Sequence, residues 1–416
     1  MHRLLCVLAL VSLAGCSLTT APLPDRSGPL TFNVSFVDDP GGADAAAPLP
    51  FDVDGASHRI SIEAIGYDRQ VLSDFTSTVS IKATPAILMS APFVVVEGGR
   101  AEAEVTFARG YGPVRIWVSD EGTDESPGSY ATGVSPVVHY DAPTVREVQE
   151  TSATTTSPMD HMYVHIRGWD EAHPDPRDLR VTAVTNDGFY VTDLSDPWGT
   201  YNSLFAFSFS RPDGIEPGMR LERLSGIIEE FLGFTEMAFP DWVVADQNVV
   251  PEIQELDPTI VCDSPQMEGW ESSVVKVWAL ESDFGGFGDC EDYNQFGQWP
   301  ARLLDKKTLE PIVCGGGDAR LNIVNINTVP SFTFDECADF DRPDDRFLNH
   351  LTGILRHNEF ASPSWILEVR DCMDFPPEER PADCVDQLQL PLSGPRKSPQ
   401  PFYRDIPECE GHPTTR

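Results

Sequence analysis

The sequence predicts an all-β fold, and three observations support this. Many short segments alternate apolar with polar residues at a period of two, as in half-buried strands. Turn-forming residues separate these segments every 8–12 residues or so, with no sustained helical period between them. LSGII at residues 224–228 recurs as LTGIL at residues 351–355, which indicates that one structural unit occurs twice. Several domains are expected, because 416 residues are too many for one core.

The first 15 residues have the pattern of a cleavable export signal. Arg3 precedes an apolar run, Leu4–Ala14, that is shorter than the roughly 20 residues needed to span a bilayer. The run ends in Leu13-Ala14-Gly15-Cys16, which resembles the lipobox of bacterial lipoproteins. The resemblance implies cleavage before Cys16, lipidation of its sulfur and an acylated new N-terminus. An ordinary secretory signal with a cysteine near the cleavage site is the alternative.

The residues after the lipobox bear on location. Position 17 is Ser and not Asp. In the family resembled, this implies the outer membrane of a Gram-negative bacterium, with the protein facing the periplasm or the cell surface. Residues 16–28 are predicted to be the lipidated cysteine and a polar, proline-bearing tether. No later stretch approaches 18 uninterrupted apolar residues.

Residues 29–142 are predicted to form a β-sandwich. The predicted strands are 30–36, 59–64, 77–83, 93–96, 101–107 and 114–118. Glu97-Gly98-Gly99-Arg100 predicts a tight hairpin between the fourth and fifth of these strands. The pattern resembles a bacterial immunoglobulin-like domain, although the chain has no Cys–Trp–Cys core here.

Residues 143–261 and 262–375 are each predicted to form a five-stranded barrel. In the first, a strand candidate at 161–168 precedes the five barrel strands, which are the two of a hairpin over 178–193 turning at Asn186-Asp187-Gly188, then 204–209, 218–231 and 235–244. In the second they are 272–280, 298–304, 319–325, 347–355 and 364–369. Five strands in this length are typical of the OB-fold. LSGII and LTGIL would be the fourth strands, with Gly226 and Gly353 allowing the bend that closes each barrel. Residues 376–416 are predicted to be a proline-rich tail.

The first barrel also resembles the OB-fold domains of bacterial extracellular nucleases. The matching residues are Gly188, Phe189, Tyr190, Val191, Gly218, Gly226, Gly233 and Thr235. The second barrel matches through Leu351, Gly353, Ile354 and Trp365. That family uses the module beside an endonuclease/exonuclease/phosphatase domain, and this sequence has no such domain. Nuclease activity is therefore not expected.

Charge argues against a nucleic-acid partner. The chain has 66 acidic against 29 basic residues, a formal net charge of −37. Residues 145–250 contain seven arginines and no lysine against eighteen acidic residues. Nucleic-acid binding takes most of its affinity from basic groups on phosphates. Phe189 and Tyr190 could stack on a ligand, but their alternation along a strand favours barrel core. A nucleic-acid-binding module stays an alternative.

The cysteines after the lipobox favour disulfides. They are Cys262, Cys290, Cys314, Cys337, Cys372, Cys384 and Cys409, an odd number, and their connectivity does not follow from the sequence. An exported protein lies in an oxidising compartment, where disulfides form. A zinc site is disfavoured because there is no C-x-x-C pair with a histidine at ligand spacing.

Two further groups are candidates for metal binding. The loop 281–294 carries Asp283, Asp289, Glu291 and Asp292 among glycines, and such oxygen ligands suit calcium. The spacing does not match an EF-hand, and a solvated acidic loop is the simpler interpretation. His161 and His165 lie four apart in a predicted strand, too distant to share one ion. No cofactor is expected.

No catalytic signature is found: the sequence has no G-x-S-x-G, P-loop, dinucleotide fingerprint or zincin motif. We therefore expect a non-catalytic outer-membrane or cell-surface lipoprotein that binds or organises envelope components. Its partners would be the membrane, through the lipid, and an envelope protein or glycan; its oligomeric state is open. A hydrolase with a dispersed or calcium-assisted site is a further alternative, because catalytic triads are recognised by geometry.

Overall fold

A computed structural model describes the fold as all-β, with 51% of the chain in strands and 7% in helices. The chain divides into two compact units, residues 1–140 and 141–416. The structure describes residues 28–123, 126–150, 156–171, 173, 175–197, 199–247, 253–282, 298–324, 347–359 and 364–380.

The first unit consists of eleven strands among the described residues. They are β1 (Thr31–Phe36), β2 (Ala56–Ile65), β3 (Ser77–Thr84), β4 (Ile87–Leu88), β5 (Phe93–Val96), β6 (Arg100–Ala108), β7 (Gly112–Ser119), β8 (Gly122–Thr123), β9 (Ser126–Pro127), β10 (Thr132–Val134) and β11 (Val138–Tyr140).

Two antiparallel sheets make up most of this unit. One has the order β1-β2-β6-β4, and the other has the order β10-β7-β3-β5 with β11 also paired to β7. Alternate residues of each strand point inward, for example Ile60, Ile62 and Ala64 of β2, all 0% exposed. Side chains from both sheets form one apolar core.

The tight turn predicted at Glu97–Arg100 is confirmed, with an antiparallel bridge between these two residues, but the two flanking strands do not pair beyond it. The tight turn itself forms, with Gly98 and Gly99 at φ 58° and 74°. However, β5 pairs with β3 and β6 pairs with β2, so the turn connects two different sheets. A glycine turn fixes a chain reversal but does not select the neighbour of each strand. The pairing of β6 with β2 extends from Ala56↔Phe107 to Glu63↔Arg100, far longer than β5 could offer.

The second unit begins with α1 (Val145–Gln149), followed by the strands of the first barrel. These are β12 (Tyr163–Arg167), β13 (Leu179–Val184), β14 (Gly188–Asp193), β15 (Ser203–Phe207), β16 (Met219–Phe231) and β17 (Phe234–Gln247). The hairpin predicted at residues 186–188 is confirmed, because β13 and β14 pair as antiparallel neighbours.

The elements of the second barrel follow in the same order. They are β18 (Gln254–Glu255), a 3₁₀ turn (Pro258–Cys262), α2 (Ser264–Glu268), β19 (Val274–Ser282), β20 (Gln298–Leu303), β21 (Val313–Cys314), β22 (Gly317–Asp318), β23 (Arg320–Val324), β24 (Phe347–His357) and β25 (Trp365–Glu368). Two 3₁₀ turns, Cys372–Asp374 and Pro377–Glu379, come last.

Both barrels are closed, five-stranded and identical in topology. The first closes in the order β13-β14-β15-β17-β16 and back to β13, with β12 added outside on β16. The second closes in the order β19-β20-β23-β25-β24 and back to β19. In each, the third and fifth strands are parallel and the other neighbours antiparallel. LSGII and LTGIL lie in β16 and β24, the fourth strands, as predicted.

The two repeat glycines are needed because the fifth strand passes very close. A Cβ on Gly226 would lie 2.5 Å from Met237 Cγ, and a Cβ on Gly353 would lie 2.7 Å from the Glu368 carbonyl oxygen. The predicted bulge is present at Gly226, where the register with β17 shifts. At Gly353 the pairing with Val275 continues without a shift. Close approach, more than bulging, is therefore what the two positions share.

The described helices are short. Both α1 and α2 have five residues, and no described helix has the length and apolarity to cross a bilayer. Cys262 and Cys314 form a disulfide that joins the 3₁₀ turn before α2 to β21, and Cys372 is also disulfide-bonded.

Candidate functional site

The two barrels meet over a buried junction inside the second unit. Apolar side chains of both barrels share one cluster: Ala183, Tyr190, Phe205, Phe234 and Ile354. Backbone groups also bond across it, since Glu359 N–H donates to Leu232 O at 2.9 Å and Tyr201 N–H donates to Gly269 O at 2.6 Å. The junction therefore combines apolar packing with directed hydrogen bonds.

One buried carboxylate at this junction has a cationic partner. Glu368 is 0% exposed, and its Oε2 accepts hydrogen bonds from Tyr190 Oη at 3.0 Å and Arg356 Nη1 at 3.3 Å. The Arg356 guanidinium also lies over the Phe234 ring, 4.8 Å from its centroid. Burial raises the pKa of Tyr190 well above its usual value, so its hydroxyl keeps the proton that it donates. The charge of Glu368 is therefore balanced by Arg356, and we interpret the contact as structural.

A second group of buried acids has no such partner. Glu268 is the last residue of α2, and Glu271 lies in the loop before β19; they are 5% and 2% exposed. One oxygen of each, together with a ring nitrogen of half-buried His357, lies within 4.8 Å of the others. We call Glu268, Glu271 and His357 the junction cluster. It is the only grouping of three potential ligands of this kind among the residues that the structure describes.

The first barrel supplies the surroundings of the junction cluster. Thr235 N–H donates to Glu271 Oε1 at 3.1 Å. A third acid, Glu230, accepts at Oε1 from Thr235 Oγ1 at 2.6 Å and from Ser157 N–H at 2.7 Å. The second carboxylate oxygens of Glu230, Glu268 and Glu271 are buried with no hydrogen-bond partner in the described chain. Three acids are thus concentrated where lone pairs remain unused.

Burial and mutual repulsion raise the pKa values of these carboxyls. Desolvation, and then the charge of Glu230, raises the pKa of Glu268 to about 8. Desolvation, and then Glu268, raises the pKa of Glu271 well above its usual range; the main opposing influence is the Thr235 N–H bond. Desolvation also raises the pKa of Glu230. Such shifts mark sites where a proton or another cation is needed for charge balance.

His357 is held in one orientation by the first barrel and its own barrel together. Its Nδ1 lies 2.8 Å from the Gly233 carbonyl oxygen, which can only accept a hydrogen bond. Its ring stacks on Trp365 with centroids 4.6 Å apart and an interplanar angle of 16°. Gly233 has φ +79°, and a Cβ there would lie 2.9 Å from His357 Nδ1. The β16–β17 turn is therefore shaped to receive this ring.

Six of the seven arginines of the first barrel are already paired with aspartates of the same unit. The pairs are Arg146 with Asp196, Arg167 with Asp141, Arg177 with Asp193, Arg180 with Asp178, Arg220 with Asp246 and Arg223 with Asp241. The seventh, Arg211, also takes part in an interaction. Because their charges are neutralised locally, these side chains are poorly placed to attract phosphates.

Aromatic side chains are exposed on the first barrel. Phe209 and Phe239 are 59% and 64% exposed, with ring centroids 4.9 Å apart, and Phe209 lies 4.4 Å from Phe207. Both exposed residues have left-handed backbone, at φ 62° and 53°. That conformation is unfavourable for a non-glycine residue and is often found at binding sites. We call Phe207, Phe209 and Phe239 the aromatic surface.

The residues singled out in the sequence fall elsewhere. Phe189 and Tyr190 are both 0% exposed and belong to the core, so neither ring is open to a stacking ligand. His165 Nδ1 contacts Ser225 Oγ at 3.0 Å. Outside the described residues lie Cys16, Cys290, Cys337, Cys384, Cys409 and the calcium candidates Asp283, Asp289, Glu291 and Asp292.

The junction cluster was missed because its members are dispersed in the sequence. Glu268 and Glu271 have ligand spacing, but His357 is far away and lies in the second copy of the repeat. The available signal was acidic residues in MEGWESS, a stretch that otherwise leads into a buried strand. Phe209 follows the end of β15, and Phe239 lies in β17 where the register with β16 shifts, so the exposure of neither residue follows from alternation.

Comparison with known proteins does not assign the chain to a family. No protein-family model and no curated protein matches it. Among solved structures, WR4, a C. elegans MSP family member, is 15% identical over 27% of this chain and 98% of its own, with a TM-score of 0.17. Tripeptidyl peptidase 2 is 11% identical over 45% of this chain and 19% of its own, with a TM-score of 0.20. At such TM-scores neither likeness carries an argument about fold or function.

Proposed function

We propose that this chain is an outer-membrane lipoprotein, anchored through Cys16, that acts as a non-catalytic binding module of the cell envelope. The anchor is supported by the apolar segment ending in Leu13-Ala14-Gly15-Cys16. Several acyl chains on one residue hold a protein firmly at a membrane, whereas a single chain is only marginal.

The aromatic surface is the observation that supports a binding role. Exposed phenylalanines in left-handed conformation are unfavourable both in solvation and in backbone energy, so a partner that covers them would recover part of that energy. The contact chemistry is apolar, which favours an envelope protein over a nucleic acid. The paired arginines of the same barrel support that preference.

We also propose a fold class for the first unit and for each barrel. The two antiparallel sheets around one core support an immunoglobulin-like sandwich for the first unit. The shared closure, with a parallel pair between third and fifth strands, supports OB folds for both barrels. These folds present loops from a rigid scaffold, a common arrangement for recognition.

The anchor is tested by a Cys16→Ser variant expressed in a Gram-negative host. We expect the wild-type chain to incorporate labelled palmitate and to sediment with outer membranes, and the variant to do neither. Unchanged sedimentation of the variant would refute the anchor.

The binding role is tested by photo-crosslinking in intact cells. A photoreactive phenylalanine analogue at position 209 should give a discrete protein adduct. The same analogue at position 231, an exposed phenylalanine of the same barrel outside the aromatic surface, should give none. Equal labelling at both positions, or none at either, would contradict a binding role for this surface.

A further inference from the structure

We propose that Glu268, Glu271 and His357 bind one divalent transition-metal ion at the junction of the two barrels. This site is independent of the lipid anchor and of the aromatic surface, so it stands or falls separately from the function proposed above.

The buried carboxyl of Glu268 supports a bound cation. Glu268 is only 5% exposed to solvent. Its Oε2 is fully buried and has no hydrogen-bond partner among the described residues. A buried carboxyl oxygen without a partner is strongly unfavourable and needs a reason in a native structure. An oxygen of Glu268 lies within 4.8 Å of ligand atoms on Glu271 and His357, so a shared cation supplies that reason.

The orientation of His357 also supports a bound metal ion. Because Nδ1 must carry the proton that it donates to the Gly233 carbonyl, the lone pair of the neutral ring is on Nε2. Metal-binding histidines are commonly fixed in this way, with one nitrogen donating to a backbone carbonyl and the other binding the ion. The stacking on Trp365 further restricts rotation of the ring.

The set of ligand atoms selects the kind of metal. Carboxylate oxygens alone would suit calcium or magnesium, whereas an imidazole nitrogen beside carboxylates favours Zn²⁺ or a neighbouring first-row ion. Zinc–ligand bonds of about 2.0–2.2 Å place tetrahedral donors roughly 3.4 Å apart. The present spread of up to 4.8 Å closes to that value through side-chain movements of about 1–1.5 Å.

The charge of the junction cluster and its position between the barrels also suit a bound divalent cation. A dication offsets the two carboxylates, and among the described residues no lysine or arginine forms an ion pair with either. Glu271 already accepts a hydrogen bond from Thr235 N–H of the first barrel, and His357 Nδ1 donates one to the Gly233 carbonyl in the β16–β17 turn. An ion bound here would therefore connect the linking segment after α2 with β24, and would stabilise the arrangement of the two barrels.

The test is equilibrium zinc binding to the full chain, purified in detergent, stripped with EDTA and alkylated to block any free thiol. Zinc would be delivered by competition with a chromophoric chelator at neutral pH. The variant is Glu268→Gln/Glu271→Gln. The matched control is Glu102→Gln/Glu104→Gln, which removes the same charge from an exposed strand of the first unit.

We expect one high-affinity Zn²⁺ per chain in the wild type and in the control, with affinity at least about 100-fold lower in the variant. Calcium at millimolar concentration should not displace the zinc. His357→Gln serves as a second variant, and circular dichroism checks the fold of each. Zinc binding that both site variants retain while folded, displacement by calcium, or absence of stoichiometric zinc in the wild type would each overturn the proposal.

Discussion

Glu368 and the junction cluster are two groups of buried acid at the contact between the same two barrels, and they differ in how their charge is balanced. Glu368 has Arg356 and the Tyr190 hydroxyl beside it. Glu268 and Glu271 have each other, His357 and, nearby, Glu230. Both groups are inaccessible to water to a similar degree, so the difference lies in their partners and not in their burial.

The comparison separates a structural contact from a candidate site. The charge of a buried carboxylate beside a guanidinium is balanced within the chain, and removal of either partner would destabilise the fold. Buried carboxyls without a cation either hold protons or bind an external cation. The junction cluster is of the second kind, which is why a ligand is assigned there and not at Glu368.

The largest expected effect is at the paired acid. Arg356→Met leaves Glu368 buried without its cation, and we expect the unfolding free energy of the second unit to fall by about 3–5 kcal/mol. Urea denaturation followed by tryptophan fluorescence measures this, since all tryptophans except Trp117 lie in the second unit. The exposed pair of Arg59 and Glu102 is the control: Arg59→Met should change stability by less than about 1 kcal/mol. Equal effects would show that burial does not distinguish the pairs.

The next effect is a pH dependence at the junction cluster. Because the folded pKa values of Glu268 and Glu271 are raised, the folded chain binds more protons than the unfolded chain above pH 4.5. In EDTA, the stability of the second unit should therefore be highest below pH 4.5 for these groups and fall as pH rises to about 8. We expect a loss of at least about 2 kcal/mol. The Glu268→Gln/Glu271→Gln variant should flatten this dependence, and a wild-type profile as flat as the variant would contradict the account.

Substitution of Gly226 and Gly353 tests how β16 and β24 position the charged residues that they carry. Gly353 lies in β24, which carries both Arg356 and His357, whereas Gly226 lies in β16, which carries Glu230. Either change to Ala forces the fifth strand away and should lower stability by about 1–2 kcal/mol. Gly353→Ala should also weaken zinc binding more than Gly226→Ala. Gly315→Ala, with nothing within 4 Å of the new Cβ, is the control and should be neutral.

The smallest expected effect on stability is that of Glu268→Gln, and it is compared with Glu368→Gln. At pH 6 the Glu268 carboxyl is largely protonated because its pKa is raised to about 8. Glu268→Gln replaces it with a neutral group of the same shape, so stability should change by less than about 1 kcal/mol. Glu368→Gln, which leaves Arg356 without its anion, should be clearly more damaging. Urea titrations at pH 6 compare the two, and a larger loss at Glu268 would reverse the interpretation.

Much of the fold follows from local pattern, because alternation along a strand reports which residues face a core. The strands of both barrels and the hairpin at Asn186-Asp187-Gly188 are predictable in this way. Pairing over longer distances is not, as the turn at Glu97–Arg100 shows: its sequence fixes a reversal, but β5 and β6 find partners in different sheets.

The candidate site is likewise only partly predictable from the sequence. LSGII and LTGIL indicate duplicated barrels, and that duplication is what brings the β16–β17 turn against β24. The sequence does not reveal which side chains then meet, because Glu271, Gly233 and His357 are joined only by the packing of one barrel on the other. Buried acids also look like ordinary surface acids in so acidic a chain.

Binding of a metal ion by the junction cluster can be observed by anomalous X-ray scattering from crystals of the full chain grown with zinc. Data collected above and below the zinc absorption edge locate the ion without reference to any assay. We expect one strong anomalous peak at bonding distance from Glu268, Glu271 and His357. A junction free of anomalous signal in crystals that hold zinc elsewhere would contradict metal binding by the cluster.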